Sequence, residues 1–157
     1  MKKQILLALI LLFIAPNIFG QYNSVLSDGK WFKIATNKTG IYKLNYSSLG
    51  GLGINTNNLQ FSALKLYGNG GGMLPKLNSD FRRDDLTENA IKVHDSNNNG
   101  VFENGDYILF YGQSPHSWKY DAQSSLFRYE THLYSDEVNY FLTTDNQSNG
   151  KRIEQKQ

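Results

Sequence analysis

Short runs of β-branched and aromatic residues recur from Trp31 onward, separated by Gly-, Asn- and Ser-rich turn formers roughly every eight to twelve residues. Helical periodicity is almost absent, so the pattern predicts an all-β sandwich or jelly-roll-like module with at most one short helix. Residues 31–35 and 41–44 read as a hairpin across the turn formers between Thr36 and Gly40. Further strands are expected at 63–67, 90–94 and 107–111, around Trp118-Lys119-Tyr120, at 126–133 and at 138–143. Residues 46–52 form the one plausible helix, with Asn45 as its cap and Gly51 or Gly53 as its stop. The polar stretch 78–89, with Arg82-Arg83-Asp84-Asp85, reads as a solvated loop, and residues 150–157 read as a turn entering another strand.

The first twenty residues have the composition of a secretory signal peptide: Lys2-Lys3, an apolar run from Ile5 to Ala15, then Pro16 and Gly20. That run falls short of the roughly 20 residues a membrane-spanning helix needs. The domain expectation is therefore a signal peptide at 1–20 followed by a β domain at 21–157, exported to the periplasm or the outer-membrane cell surface. Without Lys2 and Lys3 the 16 basic residues of the chain become 14, equal to its 14 acidic ones. A neutral chain with no basic cluster larger than Arg82-Arg83 or Lys151-Arg152 has no electrostatic footprint for nucleic acid or anionic membrane. The chain has no cysteine, so its stability must come from its core, and 2 Trp, 10 Tyr and 9 Phe residues help to supply one. The same count excludes a cysteine nucleophile or a zinc-thiolate site within these residues.

Residues 95–106, D-S-N-N-N-G-V-F-E-N-G-D, carry the oxygen spacing of a calcium loop. A hard divalent cation needs several oxygens at once. Asp95, Asn97, Asn99, Glu103 and Asp106 would offer side-chain oxygens, Val101 its carbonyl, and Gly100 the sharp bend. The flanks are strand-like rather than helical, and Asp106 stands where an EF-hand has a bidentate Glu. A Ca2+ ion held this way would be bound weakly, at roughly 0.1 to 1 mM. The alternative is an Asn/Gly-rich strand connection, since Asn99-Gly100 alone is a strong turn signal.

Catalytic constellations are missing. The run Gly68-Asn69-Gly70-Gly71-Gly72 lacks the spacing of a dinucleotide loop and the Lys-Ser/Thr of a P-loop; it reads as a flexible turn or a close backbone approach. Gly112-Gln113-Ser114-Pro115-His116 lacks the second glycine of a nucleophile elbow, so Ser114 and His116 read as loop residues. His94, His116 and His132 lack the spacing of a zinc helix, and the carboxylate neighbours Asp84-Asp85 and Asp136-Glu137 point apart if extended. Asn37, Asn45 and Asn146 begin glycosylation sequons. Trp31, Trp118 and the tyrosines offer either core filling or a sugar-stacking platform, which keeps a free-standing carbohydrate-binding or adhesion module open as an alternative function.

Several stretches together carry a resemblance: Trp31-Phe32-Lys33-Ile34 with Thr39-Gly40-Ile41-Tyr42-Lys43-Leu44, Leu66-Tyr67-Gly68-Asn69-Gly70-Gly71-Gly72-Met73-Leu74-Pro75, and Asp84-Asp85-Leu86-Thr87-Glu88-Asn89-Ala90. Asp106-Tyr107-Ile108-Leu109-Phe110-Tyr111-Gly112, Tyr140-Phe141-Leu142-Thr143 and Gly150-Lys151-Arg152-Ile153 extend it. The chain resembles the N-terminal region of the type IX secretion system sortases, the PorU family of gingipain-related cysteine peptidases. The resemblance implies a longer protein whose Cys/His peptidase domain lies downstream. Such a protein removes a sorting domain from exported cargo and joins the new carboxyl end to lipopolysaccharide at the cell surface. It further implies a noncatalytic role for these residues, packed against the rest of the sortase or an outer-membrane partner. No catalytic residue carries over.

Overall fold

The computed structural model describes residues 24–144 and 148–154; the leader at 1–20 and the sequon at Asn146 lie outside them. Among the described residues nine strands form: β1 (Trp31–Thr36), β2 (Gly40–Asn45), β3 (Lys65–Tyr67), β4 (Glu88–Asn89), β5 (Lys92–His94), β6 (Tyr107–Gly112), β7 (Ser117–Asp121), β8 (Leu126–Glu130) and β9 (Val138–Thr143). They make three antiparallel sheets, ordered β1-β9-β3-β4, β2-β6-β5 and β7-β8. The expected all-β sandwich class holds.

The alternation of side chains explains why β6 and β9 are the central strands. Ile108 and Phe110 on β6, and Val138, Tyr140 and Leu142 on β9, point inward and are buried. Across the sandwich the Phe110 and Tyr140 rings meet at 5.4 Å, which joins the two larger sheets. The long segment between Leu52 and Lys65 closes the core with Ile54, Leu59, Phe61 and Leu64, and Phe102 packs edge-on to Phe61 at 5.2 Å. Each such side chain, fully buried, contributes about 1.5–3 kcal/mol.

The expected hairpin of residues 31–44 does not form. Instead β1 pairs with β9, Trp31 opposite Thr143, while β2 pairs with β6, Gly40 opposite Gly112. Residues 37–39 are therefore a corner that crosses from one sheet to the other. Each strand has one apolar face, Phe32 and Ile34 on β1 and Tyr42 and Leu44 on β2, and placement in opposing sheets buries both against one core. Turn formers alone do not distinguish a corner from a hairpin. Here Thr36 Oγ1 donates to the Gln113 carbonyl at 2.9 Å and Tyr42 Oη donates to the Lys38 carbonyl at 2.8 Å, fixing the crossing.

The helix lies where the sequence puts it. Helix α1 spans Tyr46–Gly51, and Asn45 Oδ1 accepts the Ser48 N–H at 2.9 Å as its cap. Gly53, at φ +83°, ends it while the Ile54 N–H returns to the Leu49 carbonyl at 3.1 Å. Three strands are shorter than expected, and the one expected at 90–94 begins only at Lys92. Residues 61–63 form a 3-10 turn before β3, and β8 stops at Glu130 because His132 Nδ1 accepts the Ser135 N–H at 2.9 Å and turns the chain. Near the end, Arg152 forms a parallel bridge with Ile91 and its guanidinium donates to the Phe61 carbonyl, in keeping with the expected strand entry.

Candidate functional site

The segment Asp95–Asp106 joins β5 to β6, which pair with His94 opposite Tyr107, so it is a strand–loop–strand connection as its flanks require. Its interior is ordered by its own side chains. Asp95 Oδ2 accepts the Gly100 N–H at 2.8 Å, Asn97 Oδ1 accepts the Asn99 N–H at 3.1 Å, and Asn99 Oδ1 accepts the Val101 N–H at 2.7 Å. Gly100, at φ +79°, makes the bend and Asn98 joins it at φ +57°. Val101 bridges to Gln60, and the Phe102 N–H reaches the Leu59 carbonyl at 2.7 Å, which drives Phe102 into the core.

The six candidate ligands share this loop but do different things. Asp106 is buried, and both its oxygens are engaged: Oδ1 by the N–H and hydroxyl of Ser96 at 2.8 and 2.7 Å, Oδ2 by the Glu103 N–H at 2.8 Å. It staples the two ends of the loop together. Burial pushes its pKa up, but the bonds from Ser96 and Glu103, aided by the charge of His94, outweigh that and hold it below the usual 3.8. Glu103 is tethered by the Asn97 amide at 3.0 Å. Asp95 keeps one carboxylate oxygen, Oδ1, buried and without any hydrogen-bond partner. Among the described residues no three His, Cys, Asp or Glu side chains converge closely enough to hold a metal by themselves. Any cation here would depend on the Asn and carbonyl oxygens.

The glycine run is a close backbone approach, to side chains at Gly68 and Gly70 and to another backbone at Gly71, which is one of the two structural roles its sequence allows. A Cβ on Gly68 would press into the Tyr140 ring, one on Gly70 would meet the Gln113 amide, and one on Gly71 would overlap the Ser114 carbonyl. Gly71 N–H donates to Gln113 Oε1 at 2.7 Å and Gly72 N–H to the Pro115 carbonyl at 3.1 Å. Asn69 ties the run to the polar stretch 78–89, donating to the Asp85 carbonyl at 3.0 Å and accepting the Thr87 N–H at 3.1 Å.

Ser114 and His116 do not form a nucleophile–base pair. Ser114 Oγ accepts the backbone N–H of His116 at 3.2 Å, while His116 Nδ1 accepts the His132 N–H at 3.0 Å. His94 stacks on Tyr107 at 4.4 Å. Asp85, one of the acidic pair expected in a solvated loop, instead holds the N-terminal turn, accepting from the Val25 N–H at 2.6 Å and from Ser24 Oγ at 3.0 Å. The bonds from Val25 and Leu86 lead in lowering its pKa. Asn45 is spent on capping α1. Trp31 is structural, edge-on to Tyr67 at 5.2 Å with its indole N–H on the Asp28 carbonyl.

Sequence reasoning missed the β7–β8 hairpin as a feature of its own. Trp118 stands opposite Tyr129 and Tyr120 opposite Phe127, so all four aromatics share one face, and all are exposed. The i, i+2 spacing of aromatics on both strands, with charged residues between them, is the signal that marks such a face.

No protein-family model matches the sequence, and no curated protein matches it. Among the described residues no helix is long and apolar enough to cross a membrane. By fold the chain is similar to a solved structure of dimeric latent PorU from Porphyromonas gingivalis, with a TM-score of 0.60 and 25% identity over 85% of this chain; it spans 11% of the length of that chain.

Proposed function

We propose that the chain is a noncatalytic N-terminal β module of a type IX secretion system sortase, the C-terminal signal peptidase and transpeptidase that processes exported cargo and attaches it to the cell surface. The observation that carries this is the likeness to PorU across 85% of the chain at a TM-score of 0.60. The absence of cysteine fits the same assignment, because thiolate attack has to come from outside these 157 residues. The module acts as a scaffold, packed against the remainder of the sortase or an outer-membrane partner, and works outside the cytoplasm. The test is to delete the coding region for residues 24–154 from the natural gene and to express the chain alone. The expected result is loss of cargo processing in the deletion strain and no peptide cleavage by the isolated chain. Cleavage by the isolated chain, or normal processing in the deletion strain, would overturn it.

We also propose that the loop Asp95–Asp106 takes Ca2+ weakly at extracellular concentrations, with Asp95, Asn97, Asn99, Glu103 and the Val101 carbonyl turned to the ion and Asp106 closing the loop behind it. Support comes from the unpartnered Asp95 Oδ1 at the first position of the loop. With Kd of about 0.1–1 mM, 10 mM calcium should stabilise the fold by about 1.4–2.7 kcal/mol. That gain should reverse with EGTA and disappear in Asp95→Asn. Thermal unfolding and calorimetry that detect neither effect would sink the proposal.

A further inference from the structure

We propose that the groove between the end of β6 and the start of β7, continued by the aromatic face of the β7–β8 hairpin, binds a neutral glycan chain. The inference stands independently of the sortase reading, since it rests on the chemistry of one surface. Tyr111 and Trp118, 51% and 67% exposed, wall a cavity of about 310 Å³ whose lining, including Thr39, Gln113, Ser114 and His116, bears no carboxylate, ammonium or guanidinium. A sugar ring presents an apolar C–H face and an equator of hydroxyls. Aromatic walls with a few neutral hydrogen-bonding groups complement both.

The polar groups are set up as donors by bonds within the protein. Thr39 Oγ1 accepts the Ser114 N–H at 3.0 Å and Ser114 Oγ accepts the His116 N–H at 3.2 Å, so each hydroxyl keeps its own proton to give. Gln113 spends its oxygen on the Gly71 N–H at 2.7 Å and is left with its amide N–H groups. His116 Nδ1 accepts the His132 N–H at 3.0 Å, which puts the proton of the neutral ring on Nε2. Four donors whose side chains are already held in place lose little freedom when a ligand arrives. An apolar protein partner laid over the groove would strand them without hydrogen-bond partners. A polyhydroxyl ligand would satisfy them.

Beyond the groove the stacking surface continues. The His116 ring lies 6.0 Å from Tyr129, Trp118 lies 5.1 Å from Tyr129, and Tyr120 lies 5.3 Å from Phe127. Successive aromatic pairs are two residues apart, about 6.8 Å at 3.4 Å per residue, so the face accommodates roughly two or three sugar rings. The back of the hairpin is charged and self-paired, Lys119 with Glu130 at 2.6 Å and Arg128 with Asp121 at 2.8 Å. The aromatic side carries no charged residue.

The test titrates the full chain with neutral oligosaccharides of roughly three to six units, derived from glucan, mannan and galactan, and with oligogalacturonate as the charged comparison. Binding is read by tryptophan fluorescence and calorimetry. At least one neutral series should bind, with Kd in the millimolar range or below. Affinity should fall about tenfold or more in Trp118→Ala and, separately, in Tyr111→Ala, and should be unchanged in Lys119→Ala on the opposite face. Circular dichroism and the unfolding midpoint establish that each variant is folded, and the two aromatic sites keep the test usable if one variant fails. Absence of binding by every neutral series, preference for oligogalacturonate, or affinity that survives both substitutions would overturn the proposal. So would concentration-dependent self-association that Trp118→Ala abolishes while no glycan binds.

Discussion

Gly71 shows at the scale of one residue why a glycine-rich run can be structural. A methyl group there meets the Ser114 carbonyl, which is backbone and cannot step aside. Gly71→Ala should therefore destabilise the chain by about 1–3 kcal/mol in urea unfolding, whereas a flexible-turn role would leave stability unchanged. Tyr140 is tied in a second way, because its buried hydroxyl accepts the Gln113 N–H at 3.0 Å and burial raises its pKa. Asp106 gives a pH-dependent case. Its pKa is lowered in the folded chain, so its contribution is complete above its unfolded pKa, about 3.9, and is lost as pH falls through the lower folded value. Asp106→Asn should be less stable than the parent at pH 7, with the difference shrinking as unfolding midpoints are measured progressively below about pH 4.

At the scale of the element, caps and connections decide what each segment does. Asn45 Oδ1 accepts the Ser48 N–H and both the Ser47 and Ser48 hydroxyls, so Asn45→Ala should cost about 0.5–2 kcal/mol and weaken α1 first. The β7–β8 hairpin stands apart from the two larger sheets, with no residue of β8 buried, while β9 is flanked by β1 and β3 and buries four of its six residues. Hydrogen exchange should accordingly find the β8 amides the least protected of the strand amides and those of β9 among the most protected. Equal protection would mean that the hairpin is held by more than its own pairing.

For the whole molecule, one core shared by two sheets implies one unfolding transition. Phe110 sits on β6 against Tyr140 on β9 and is 1% exposed, so Phe110→Ala should cost about 3–5 kcal/mol. Because that contact joins the sheets, both should lose structure together, checked by coincident urea transitions in Trp31 fluorescence, in a Trp118→Phe background, and in far-UV circular dichroism. Two separated transitions would show that the sheets are stabilised independently.

Much of this was legible in the residues. Alternating apolar positions in β6 and β9, the Asn45 cap and the Asn/Gly bend of the β5–β6 loop are local signals, because strand and turn geometry depends on neighbours a few residues apart. The absence of a thiol, and hence of thiolate chemistry in these residues, needs nothing beyond composition. Tertiary structure alone decided that β1 and β2 part into opposing sheets and that Asp106 turns inward to staple its loop. It also set four aromatics in the open beside a row of prepared donors. Those outcomes depend on which distant strand wins the pairing, as β9 does for β1, and on which oxygen a buried N–H finds first; both are settled by packing across the sandwich rather than along the chain.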